Sequence, residues 1–272
     1  MRKYAWRIYM AIIFAILYIP ILTLIVFSFN DSASTADFTG FSLDWYRELF
    51  SSAETFTALR NTLILAVLSS LISTVIGTAA AEGIYKMKNK LVRKSVISVT
   101  NIPMMNPEIV TGMSMMLFFV AVAGFLRVEY ETIGFWAMLI AHVTFCLPYV
   151  ILSVLPRINE LGDSLSEAAL DLGCTPLQAF FKVKLPNIMP GVISGMTMAF
   201  TLSLDDFVIS YFVGSSNFQT LPLLIYSMTK KKVTPDMYAL STLIVFAVFV
   251  LLVISNMKKD KNSPKRHGGR KR

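Results

Sequence analysis

Three carboxylates stand inside apolar runs of this 272-residue chain: Glu108, directly after Pro107, and the adjacent pair Asp205 and Asp206. A charge in a hydrocarbon setting is costly unless something neutralises it, so carboxylates at these places mark a path for cations or protons. Tyr211 and Tyr226 add aromatic faces, which attract cations through the ring quadrupole. Carboxylate charge with aromatic faces is the chemistry of holding and passing a cation. Neighbouring residues on a helix point about 100° apart, so the two aspartates cannot face one cavity equally. Asp206 is expected to face it, leaving Asp205 to cap a half-helix or bind a neighbouring span. Glu108 has a second reading, as the first-turn residue of a half-helix whose dipole it complements. His142, alone in another apolar run, reads as a hydrogen-bond partner between helices.

No other chemistry is indicated. There is no Ser, His and Asp set, no metal-ligand spacing and no paired-carboxylate site in a plausible cleft, so catalytic and metal residues are not expected. A phosphate-cradling G-x-x-x-x-G-K-[ST] loop is also missing, so an energy source has to lie outside these residues. Cys146 and Cys174 have no partner spacing and read as reduced. With 55% hydrophobic and 15% charged residues, the composition excludes an ordinary soluble domain. The net charge of +8 does not imply nucleic acid, because the basic residues sit between and after the apolar runs.

Those runs are the elements that must position the carboxylates. Residues 8–29, 61–81, 95–126, 132–156, 187–213 and 237–257 are each long enough to cross a hydrocarbon layer of about 30 Å. Arg2, Lys3 and Arg7 precede the first, and Lys86, Lys88, Lys90, Arg93 and Lys94 crowd the loop after the second. The tail 258–272 carries eight basic residues against one acidic. Six spans with both termini cytoplasmic follow from this asymmetry, although Lys230, Lys231 and Lys232 then fall outside. Pro103 and Pro107 predict that the third span is broken or kinked beside Glu108. Gly191 and Gly195, four apart, predict close helix packing in the fifth.

One polar interval, 159–190, is written as a folded element. Ser164 and Glu167 have capping-box spacing, Leu165, Ala168, Ala169 and Leu172 recur at helical spacing, and Gly173 suits the left-handed helix stop. Thr175, Pro176 and Gln178 open a second short helix with Leu177, Phe180 and Phe181 on one face, and Pro186 and Pro190 mark its exit. Two apolar stripes on such a hairpin predict a covering protein; a hairpin lying on the membrane surface is the blander reading.

The register Glu167-Ala168-Ala169, Gly173, Val183, Leu185-Pro186 resembles the EAA loop of type I ABC-importer permeases, with Val183 where that family usually has Ile. Around Tyr18, His142 to Tyr149, Phe200 to Asp206 and Leu221 to Met228 the chain is similar to the permease subunits of spermidine/putrescine importers. The resemblance implies an all-α membrane protein with the type I permease fold. Its parts are an initial span and outer loop at 1–57, a permease core at 58–257 holding the coupling loop 159–187, and a basic tail at 258–272 that can touch anionic lipid. It implies a multi-pass subunit of the bacterial cytoplasmic membrane that is not itself an enzyme. Two ABC ATPase subunits would hold ATP and magnesium, with no cofactor in this chain. A second, different six-helix permease chain would complete the pathway, and an extracytoplasmic substrate-binding protein would deliver a polyamine. Glu167, Ala168, Ala169, Leu172, Gly173, Leu177, Phe180, Leu185 and Pro186 would couple to the ATPase, and Glu108, Asp205, Asp206, Tyr211 and Tyr226 would line the pathway. A permease for another small solute, or an ion-coupled secondary transporter, is the competing reading.

Overall fold

The computed structural model describes residues 2–32, 37–231, 237–243 and 245–246. Apolar runs interrupted by proline and by charge give the helices α1 to α11 between residues 2 and 231 and further helical residues at 237–243, with isolated bridges Asn30 to Phe41 and Ser215 to Phe218 as the only β pairing among the described residues. Five helical segments are long and apolar enough to cross a membrane: Trp6–Phe27, Ala53–Lys86, Glu108–Leu126, Tyr130–Leu161 and Pro176–Leu204. Most of the sixth expected span, 237–257, and the basic tail lie outside the described residues.

Chain contacts divide the protein into two units. The first joins Met1–Thr55 to Ile225–Arg272. Its helix α1 (Arg2–Phe27) buries no residue between Trp6 and Phe27, as suits a helix that is apolar all round and surrounded by lipid. The chain then folds back on Asn30. The Asn30 side chain donates to the Asp37 carbonyl at 2.7 Å and accepts from the Thr39 N–H at 2.9 Å, and the Trp45 indole donates to its carbonyl at 2.7 Å. That knot orients the short helix α2 (Asp44–Ser51).

The second unit, Phe56–Leu224, holds the candidate coupling hairpin and the three carboxylates. It contains most of α3 (Ala53–Lys86), then α4 (Lys90–Met105), α5 (Glu108–Leu126), α6 (Tyr130–Leu161), α7 (Ser164–Asp171), α8 (Pro176–Ala179), a π-helical turn (Phe180–Lys184), α9 (Leu185–Leu204), α10 (Val208–Val213) and the start of α11 (Leu221–Lys231). Its core is threaded on α6, where Met138, His142, Cys146, Val150, Val154 and Ile158, each four residues from the last, are completely buried. Helix α9 answers with Ile188, Gly191, Gly195, Ala199 and Ser203. The expected close approach is present: a Cβ on Gly191 would lie 2.6 Å from Arg157 Cγ and 2.9 Å from the Ser153 carbonyl oxygen, and one on Gly195 would lie 3.2 Å from Val150 Cα.

The third expected span is broken beside Glu108, as Pro103 and Pro107 predict, and the fifth, expected to be continuous, is broken as well. The third run is two helices, because Pro107 has no N–H to continue α4 and forces extended backbone on Asn106 (φ −77°, ψ 142°). The fifth stops at Leu204 and restarts at Val208, so the two aspartates occupy the break.

A candidate docking hairpin and a carboxylate cluster

Local chemistry builds the hairpin in two halves. Helix α7 ends in a complete Schellman closure: the Cys174 N–H donates to the Ala169 carbonyl at 3.0 Å and the Gly173 N–H to the Leu170 carbonyl at 2.9 Å, with Gly173 at φ +87°. Helix α8 opens with the expected capping box, the Gln178 N–H donating to Thr175 Oγ1 at 3.4 Å and the Thr175 N–H to Gln178 Oε1 at 3.0 Å. The first expected box does not form. Asp163, not Ser164, is the N-cap, with no side-chain capping bond, because its backbone is already near helical (φ −99°, ψ −18°).

The second half does not stop at the prolines. After Ala179 the chain makes a π-helical turn, closed by the Leu185 N–H on the Phe180 carbonyl, and runs directly into α9. The wider turn relieves the clash a proline ring otherwise makes with the carbonyl four residues before it, so Pro186 is carried inside a continuous rod. It also brings Lys184 inward: the ammonium is 2.8 Å and 3.0 Å from the two oxygens of Glu82 on α3 and 4.5 Å from the centre of the Tyr85 ring. Lys86 reaches Glu82 at 3.1 Å from the rim.

The hairpin presents Leu172 at 87%, Leu177 at 71% and Phe181 at 60% exposure, alongside exposed Glu167 and Ala168. Two residues expected on that face lie elsewhere. Ala169 is buried within its own chain and Phe180 is half-buried, because α7 and the π turn pack on each other first. Leu185 is half-buried and Pro186 exposed at the base of α9.

The carboxylates separate into two environments. Glu108 opens α5 and is exposed there, in the first-turn position where an acid complements the helix dipole. Asp205 closes α9 and is exposed, as is Tyr211 one turn into α10. Asp206 is the reverse of its expectation: it is only 8% exposed and caps α10, accepting from the Ser210 N–H at 2.8 Å and the Ile209 N–H at 3.2 Å. The restart of the helix leaves free N–H groups that need an acceptor, and Asp206 is the residue placed to supply it. His142 stands behind it, Nε2 3.5 Å from Asp206 Oδ2 and 3.3 Å from Ser210 Oγ, while Nδ1 meets Ser203 Oγ at 2.8 Å. Ser69 on α3 donates to that same hydroxyl at 2.8 Å, so the expected interhelical role of His142 joins α6 to α9, α10 and, through Ser203, α3. Tyr226 is half-buried in the other unit, with the Lys230 ammonium 4.6 Å from its ring centre. Cys146 is buried and Cys174 half-exposed, both free thiols. Among the described residues no three His, Cys, Asp or Glu side chains gather as a metal site.

The sequence reading missed the Glu82 and Lys184 pair. Its only local signal is Glu82 at the end of an apolar run, with the partner 102 residues away.

Comparison with known proteins places these features in a family. The chain is 35% identical over 262 residues to the spermidine/putrescine transport system permease protein PotC of Haemophilus influenzae, covering 96% of this chain and 99% of the relative. It is 38% identical over 247 residues to the putrescine transport system permease protein PotI of Escherichia coli K12, covering 90% and 88%. Its fold is that of a chain in the crystal structure of a bacterial ABC transporter involved in the import of the acidic polysaccharide alginate, with a TM-score of 0.76, 20% identity and 96% of each chain covered. Residues 73–258 match the family model described as binding-protein-dependent transport system inner membrane component, and the chain belongs to that family.

Proposed function

We propose that this chain is one permease subunit of an ATP-driven importer of polyamines. It crosses the membrane six times with both termini inside, pairs with a second, different six-helix chain, and receives substrate from a separate binding protein. ATP and magnesium are held by two partner ATPase subunits. The observation that carries this reading is the hairpin: capped at both halves and anchored at its base, it nevertheless leaves Leu172, Leu177 and Phe181 open. A rigid, apolar, exposed pair of helix ends is suited to seating in a partner's groove. The polyamine substrate is supported by relatives named for spermidine and putrescine over nearly the whole chain. In this reading Glu108, Asp205 and Tyr211 line the cation path.

The test is gentle purification of the assembled complex, followed by uptake of labelled spermidine and putrescine into proteoliposomes with the binding protein outside and ATP inside. An ATPase and a second permease chain should co-purify, and uptake should require ATP. Uptake driven by an ion gradient with no ATPase present would overturn the reading; ATP-driven uptake of a different solute would overturn the substrate alone.

A further inference from the structure

The hairpin base contains a charge where geometry would favour a hydrocarbon. Down the inner face of the α8 to α9 rod, Ala179, Lys184, Ile188, Gly191, Gly195, Ala199 and Ser203 are buried. The steps are three or four residues throughout, except for the five from Ala179 to Lys184. A step of five belongs to one face only where the helix closes i to i+5 bonds, which is what the π turn does there. The consequence of the π turn is therefore that Lys184, a residue only 3% exposed, carries its ammonium into the core. Around it lie Glu82 and Tyr85 from α3; Arg93 of α4 stands 5.7 Å from the centre of the same ring, and its guanidinium donates to Asn159 of α6 at 2.8 Å.

A buried ion pair adds little stability over well-packed hydrocarbon of the same volume; its distinctive property is a fixed, directional registry that is costly to slip. We propose that Lys184 is a positioning residue: its ion pair with Glu82 locks the π turn to the end of α3, so that displacement of the hairpin moves α3 together with α9. This rests on the hairpin being the ATPase-docking element. Without the lock, a push on the hairpin passes into α9 and the α6 helix it packs on and reaches α3 only at the distant contact of Ser69 with Ser203, while the hairpin still docks and the ATPase still turns over. Ion pairing makes the polarity interchangeable in principle, whereas a merely space-filling role would not.

The experiment uses the assembled complex with its ATPase, second permease chain and binding protein, and reads polyamine uptake per ATP hydrolysed. The neutral pair Glu82→Gln with Lys184→Met removes both charges and so avoids leaving one buried alone. It is expected to assemble and to lower uptake per ATP by about twofold to thirtyfold, the range over which coupling residues act. The exchanged pair Glu82→Lys with Lys184→Glu is expected to recover most of that loss, and Lys184→Glu alone is not. Unchanged uptake per ATP in the neutral pair would overturn the proposal. So would a neutral pair that fails to assemble while the exchanged pair assembles without recovering uptake, because the role is then packing. Loss of ATP dependence in the unaltered complex is a separate result and would remove the docking reading instead.

Discussion

His142 Nδ1 and Ser203 Oγ lie 2.8 Å apart in a fully buried contact between α6 and α9, directly below the break that separates α9 from α10. The same imidazole reaches Asp206 within the break and Ser210 beyond it, so one side chain spans the discontinuity. A broken helix in a membrane exposes backbone groups that must be satisfied by protein, and this cluster performs that task.

The two aspartates should therefore fail differently. Replacing Asp206 by Ala removes the cap of α10 and an acceptor near His142, and should destabilise the protein by about 1 kcal/mol or more. Asn at the same position retains an acceptor and should recover part of the loss. Thermal stability of the detergent-solubilised protein by size-exclusion chromatography reads both.

Asp205→Asn and Glu108→Gln alter exposed carboxylates outside that cluster. Each should lower polyamine uptake while membrane abundance stays within the scatter of the unaltered protein. Full uptake by both variants would remove these residues from the cation path.

Gly191 and Gly83 make a matched pair. An Ala methyl at Gly191 meets Arg157 and the Ser153 backbone, whereas at Gly83 it meets nothing within 4 Å. Gly191→Ala should destabilise by about 1–3 kcal/mol through overpacking. Gly83→Ala, in an exposed helical position, should stabilise by about 0.5–1 kcal/mol. The two melting temperatures should move in opposite directions.

Gly173 has open space around it, so only backbone conformation opposes a side chain there. At φ +87°, Gly173→Val should cost about 1–2 kcal/mol locally and splay α7 from α8. Transport should fall with insertion intact, checked by uptake normalised to immunodetected protein in the membrane.

Leu172→Glu and Leu177→Glu place a charge on the open hairpin face and should reduce co-purification of the ATPase without altering the melting temperature of the isolated chain. Ala169→Glu should lower that melting temperature itself, because Ala169 is already covered by its own chain. Co-purification and melting, measured on the same three variants, separate docking from packing.

What could be read along the chain was what local chemistry writes. The box of Thr175 and Gln178, the stop at Gly173 and the interruption beside Pro107 are each decided within a few residues. The partner of Lys184 is not, since Glu82 is brought to it by the fold. The π turn escaped for a related reason: Phe180 to Lys184 carries no breaker, and only the need to keep both Ala179 and Ile188 on the buried face shows the extra residue. Asp206 was misplaced because its acceptor role appears only when the helix is seen to restart at Val208. Neighbouring acids of identical type then take opposite surroundings.

The row of wholly buried residues on α6, from Met138 to Ile158, repeats every four residues, whereas a turn of helix takes about 3.6. Each repeat therefore advances the row by about 40° in the right-handed sense, and five repeats carry it about 200°, halfway around the rod. The row is a screw thread. Near its start it meets α10, and from His142 to Val150 it meets α9. A straight neighbour cannot follow that row throughout, and α9 does not: it keeps to His142, Cys146 and Val150 and then passes to Ser153 and Arg157. The buried surface of α6 therefore turns towards different neighbours along its length, and the helix is wedged from opposite sides at its two ends.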